Sequence, residues 1–80
     1  MQFWLVVEAQ GLSEATASAL VTAYFDYAKA ESAYYGVLSA AAISKIPYHA
    51  AFLIDSQKGQ RMSKIYDRSN TVNGGEATAE

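Results

Sequence analysis

Eighty residues without a single cysteine make one domain near the lower size limit for independent folding, and they exclude disulfide staples and thiolate metal sites. A hydrophobic share of 51% beside a charged share of only 18% favours apolar surface reserved for contact. The net charge of −2 is too small to specify a partner.

No run approaches the roughly 18 consecutive apolar residues of a membrane span. The N-terminus lacks the basic region and small-residue cleavage site of a signal peptide, so a cytoplasmic protein with no membrane partner is expected.

Phe3–Ala9 reads as a strand, rich in aromatic and β-branched residues and too short for a helix. Its two sets, Phe3, Leu5, Val7, Ala9 and Trp4, Val6, Glu8, are apolar over most of their length. A strand of this kind expects cover on both sides. Gly11 ends it. Ser13 is a candidate N-cap, Glu14 suits the positive end of a helix dipole, and Leu12 can staple onto Ala17. These signals predict a helix over Ser13–Tyr35. Its inner stripe would be Ala17, Leu20, Val21, Tyr24, Ala28 and Tyr35, with Phe25 and Tyr27 on the shoulders. Ser18, Thr22, Asp26 and Lys29 would lie outside, and Gly36 would be the stop. Such a helix would be about 34 Å long, against about 23 Å for the first strand, so its last turns, with Glu31, Tyr34 and Tyr35, would overhang the sheet.

Val37–Ile46 reads as a strand, with a short helix the alternative because three consecutive alanines favour helix. Pro47 separates it from a hairpin, Ala50–Asp55 and Gln60–Asp67, joined by Ser56-Gln57-Lys58-Gly59, a four-residue connection with glycine last. After Arg68 all periodicity is lost, so residues 69–80 read as a disordered tail and residues 1–68 as the compact domain. The expected architecture is α+β: one long helix on one face of a three- to four-stranded, mostly antiparallel sheet, in the order β-α-β-β.

Val7-Glu8-Ala9 followed by Leu12-Ser13-Glu14-Ala15 resembles a strand-to-helix turn of small phage and mobile-element proteins, several of whose families have no assigned activity. The resemblance implies a small phage-type accessory domain, including the kind of inhibitor that docks on a larger host complex.

Catalytic chemistry finds little to work with. His49 is the only histidine, and Asp55 or Tyr48 would be its helper as a general base, yet no nucleophile accompanies it, so a surface or turn histidine is expected and no catalytic residue is assigned. The carboxylates are scattered and no metal-ligand spacing, phosphate loop or hydrolase elbow occurs, so no metal or cofactor is expected.

Charge is divided along the chain. Lys29 against Glu8, Glu14, Asp26 and Glu31 gives −3 over residues 1–44; Lys45, Lys58, Arg61, Lys64 and Arg68 against Asp55 and Asp67 gives +3 over residues 45–68. Lys58, Arg61, Lys64 and Arg68 on a hairpin could neutralise phosphates, so nucleic-acid binding is the alternative function. The overall pI of about 5.2 weighs against it, and lysine on a hairpin also serves to blunt a sheet edge.

The leading expectation is a non-enzymatic module acting through protein–protein contact, as a homodimer or within a larger complex. A sheet with one helix leaves one face bare, and Trp4, Val6, Tyr27, Glu31, Tyr34 and Tyr35 are the expected interface residues.

Overall fold

The computed structural model describes residues 1–13 and 15–68; Glu14 and the 69–80 segment lie outside the described residues. The chain runs β1 (Trp4–Ser13), β2 (Thr16–Tyr24), α1 (Tyr27–Ile43), β3 (Tyr48–Asp55) and β4 (Gly59–Asp67). The four strands form one antiparallel sheet in the order β2-β1-β3-β4. The fold is α+β with a single helix on one face of a four-stranded sheet, as expected, but its chain order is β-β-α-β-β, with a second strand before the helix.

The extra strand comes from the segment expected to open the long helix. Residues 16–24 pair along the whole length of β1, from Trp4 opposite Tyr24 to Ser13 opposite Thr16. Thr16, Val21, Thr22 and Tyr24 suit a pleated surface, and a twice-apolar β1 gains a hydrogen-bonded neighbour on each side. Ser13 therefore caps no helix; its hydroxyl accepts the Ala15 amide at 3.2 Å inside the hairpin turn. The strand-to-helix turn that carried the phage-type resemblance is not formed.

The helix begins thirteen residues later than a Ser13 cap would place it, at Asp26. The Asp26 carboxylate accepts the Ala28 and Lys29 amides at 2.8 and 3.4 Å, which satisfies orphan donors of the first turn. Gly36 is not a stop but an exposed residue inside α1, with nothing within 4 Å of where a Cβ would stand. Most of the Val37–Ile46 stretch, preferred as a strand, is the second half of this helix; its alanines decide the outcome, as the alternative reading allowed. Arg68 closes the far end: its guanidinium donates to the carbonyl oxygens of Ala41, Ala42 and Ile46 at 2.9, 3.2 and 3.4 Å.

The pleat sorts β1 into two sets. Trp4, Val6, Glu8 and Gln10 face the helix; Phe3, Leu5, Val7, Ala9 and Gly11 face away. The core lies on the first side, where Val6, Ala51 and Leu53 meet Ala30 and Tyr34 of α1, flanked by Trp4, Tyr24, Ala33, Val37, Leu38 and Met62. It is thin. Among the described residues Leu53 is the only large side chain that is fully buried, and the helix approaches through Ala30, Tyr34 and Ala41.

The closing hairpin matches its sequence signature. Gly59 has φ +82°, a left-handed conformation that costs glycine little, and ends the turn. Asp55 organises that turn. Its Oδ1 accepts the Gln57 amide at 2.8 Å, the Lys58 amide at 3.2 Å and the Gln2 side chain at 2.7 Å.

The Gln57 hydrogen bond, above all, holds the Asp55 carboxyl below its ordinary value of 3.8. The unfolded chain therefore takes up this proton first as pH falls. The resulting stability is present above the unfolded value and disappears as pH drops through the lower folded one. Thermal midpoints measured from pH 7 downward should fall more steeply below about pH 4 for the native chain than for Asp55→Asn; parallel curves would remove Asp55 from the turn's energetics.

Candidate docking surface

Among the described residues no element is laid on the side of the sheet away from α1. Its residues form cross-strand rows fixed by the register. One row is Ala23, Leu5, Ile54 and Gln60; the next is Val21, Val7, Phe52 and Ser63. Then come Ala19, Ala9, Ala50 and Ile65, and last Ala17, Gly11, Tyr48 and Asp67. Phe3 and Phe25 extend the first end, their ring centroids 5.9 Å apart. From the Phe3–Phe25 pair through the Ala9 row, no member carries a charge. The first charged member, Asp67, stands at the far corner.

Side-chain size is graded along this face. Phe3, Phe25, Leu5, Ile54 and Phe52 make a raised end. Ala9, Ala17, Ala19, Ala50 and Gly11 make a low floor at the other, interrupted by Tyr48 and Ile65 toward β4. Gly11 leaves room for the Tyr48 side chain beside it, since a Cβ on it would stand 3.0 Å from Tyr48 Cβ. Leu5, Val7, Phe52 and Ile54 are half-buried by their neighbours, whereas Val21 on the edge strand is 55% exposed.

The two sheet edges differ. β4 carries Arg61 and Lys64 and a register irregularity opposite Leu53/Ile54, devices that discourage edge pairing. β2 carries no charged residue and no proline, and its Leu20, on the helix side, is 64% exposed.

A bare face was expected, but on the other set of β1 residues. Val6 and Tyr34 are each 4% exposed and belong to the core beneath α1. Trp4 packs against that core and meets Tyr27 edge-on at 5.6 Å. Tyr27 and Tyr35 are exposed on α1, and Glu31 is half-buried there. Tyr35 contacts the Tyr34 ring at 5.3 Å, and its hydroxyl points to Met62 Sδ at 3.9 Å. Burial raises the Tyr34 hydroxyl above its ordinary value, with Tyr35 and Tyr66 adding to the effect. These side chains belong to the helix layer. Leu5, Val7, Val21, Phe52 and Ile54 line the open side instead, and the sequence reading did not single them out as a set. Their alternation with Ser18 and Thr22 on β2 was the available signal once that segment is read as strand.

His49 is neither a surface nor a turn residue. It lies on β3 beneath the helix, 3% exposed, with Nε2 2.8 Å from Glu8 Oε2; Gln10 also donates to that oxygen, at 3.2 Å. Its Nδ1 is buried without a hydrogen-bond partner. Asp55 and Tyr48, its imagined helpers, face respectively the turn amides and the opposite side of the sheet. The Glu8–His49 contact ties β1 to β3. Among the described residues no group of three or more His, Asp or Glu side chains is placed to hold a metal ion.

The basic set divides, with Lys64 and Arg68 meeting at the Tyr66 ring and Lys58 and Arg61 nearer the β3–β4 turn. Arg68 is bound to the helix C-terminus and stacks over Tyr66 at 5.1 Å, Lys64 approaches the same ring at 5.5 Å, Lys58 sits in the turn, and Arg61 stands at the β4 irregularity. Among the described residues no helix is long and apolar enough to cross a membrane. Comparison with protein-family models, curated proteins and solved structures finds no match.

Arg68→Ala should lower unfolding free energy by about 1–2 kcal/mol, the scale of charge-assisted hydrogen bonds, as read from urea denaturation. Unchanged stability would return Arg68 to the surface and to the phosphate-binding set.

Proposed function

We propose that this chain is a non-enzymatic contact module that buries the open face of its sheet against another protein chain. The observation that supports this reading is the continuous uncharged face of β2, β1 and β3, from Phe3 and Phe25 through the Ala9 row. Contiguous apolar patches of several hundred Å² are the mark of interaction surfaces. With strands about 4.8 Å apart and a rise of about 3.3 Å per residue, this side of the four-stranded sheet has a footprint of roughly 500 Å².

Energetics point the same way. The helix-side core has one large fully buried residue, so burying Leu5, Val7, Phe52 and Ile54 would supply a second apolar layer. The low charge content of the chain suits surface that is covered in use. Nucleic-acid binding draws less support, because the Arg68 guanidinium is engaged by the carbonyl oxygens at the helix end.

Site-specific photo-crosslinking in cells of the source organism tests this. A photoreactive residue at position 21, on the open face, should trap a protein chain; the same residue at position 20, one step along β2 and on the helix side, should not. Equal trapping from both positions, or none from position 21, would contradict the proposed surface.

A further inference from the structure

We infer that the chain docking on the open face is a second copy of this one, related by a two-fold axis that lies in the interface and crosses the strands at the Val21–Val7–Phe52 row. This rests on the docking reading above and adds the partner and its geometry.

A two-fold interface must be self-complementary. The size gradient along the face meets that condition in one orientation. Rotation about an axis across the strands at this row lays each strand on its own copy, running the other way. Leu5 of one chain then stands over Ala9 of the other, Phe3 over Gly11 and Phe25 over Ala17, while Ile54 meets the side chains that already bury Ala50, and Val7, Val21 and Phe52 meet their own copies near the axis. On β1 and β2 each large residue at the raised end finds a small one opposite. Rotation about an axis along the strands would instead set raised end on raised end and floor on floor. That leaves voids which close-packed interiors do not tolerate. Two aligned sheets about 10 Å apart, rotated by about 30°, are the ordinary arrangement for such faces.

Charge and area agree. The rows from Ala23 to Ile65 contain no like charges to oppose across the axis. Two footprints of roughly 500 Å² reach the roughly 1,000 Å² that a specific interface needs, before the corrugation of the side chains is counted.

Sedimentation equilibrium of the full chain is the test, with circular dichroism to confirm folding. The native chain should sediment at twice its 8.6 kDa mass at tens of micromolar. Val21→Lys should give a folded monomer; Leu20→Lys, on the other side of the same exposed strand, should leave the dimer intact. Leu5→Ala and Ala9→Leu should each weaken association by about tenfold or more, the first by a void and the second by overpacking. The double variant should recover to within about threefold of the native chain. Leu5 and Ala9 lie four residues apart on one extended strand and do not touch, so recovery reports a contact between chains.

A native chain that stays monomeric overturns the second-copy pairing. If position 21 still traps a different protein, the docking reading survives that failure. A dimer indifferent to Val21→Lys, or single variants that the double variant does not rescue, overturns the two-fold geometry.

Discussion

The pleat of β1 is the constraint on which the molecule turns. Alternate residues of a strand point to opposite sides, and in Phe3–Ala9 both sets are apolar. A strand of this composition is suited to the middle of a sheet with a layer on each side. The chain supplies the flanking strands β2 and β3 and one layer, α1. It has no further element for the second layer among its described residues, so Phe3, Leu5, Val7 and Ala9 share an uncovered face with Val21, Phe52 and Ile54.

The covered side does not compensate. α1 approaches the sheet through Ala30 and Ala41 and contributes Tyr34 as its buried aromatic, against Val6, Ala51 and Leu53. Small contact residues bring helix and sheet close but remove little apolar area from water, at roughly 25 cal/mol per Å². Polar connections then define geometry more than they add stability. Asp55 shapes the β3–β4 turn, Asp26 starts the helix, Arg68 finishes it, and Glu8 holds His49 beneath it. A domain built this way gains from burial of its other face, which gives the proposed association a stabilising role as well as a recognition role.

Local signals carried part of this arrangement. The composition of β1, the hairpin over Ala50–Asp67 and its glycine turn, and the α+β class were all legible. So was the existence of one bare face. The segment 16–24 was not, because its alanines and leucine suit a helix and Ser13 and Leu12 imitate a helix start. What decides for strand is hydrogen bonding to β1 from Trp4 to Ser13, which no local window contains. That error moved the helix, and with it the identity of the bare face. Trp4 and Val6 were chosen from the right strand, on the side that α1 covers. Gly36 was read as a stop because glycine commonly ends helices, yet the helix tolerates it at about 1 kcal/mol relative to alanine.

The central claim is that the fold is completed when a second copy covers the open face. Association that buries an apolar layer only in the folded state makes stability depend on chain concentration. The most direct measurement is therefore the thermal unfolding midpoint across a hundredfold dilution from the millimolar range. The account predicts a midpoint that rises steadily with concentration; a midpoint that stays constant would contradict it.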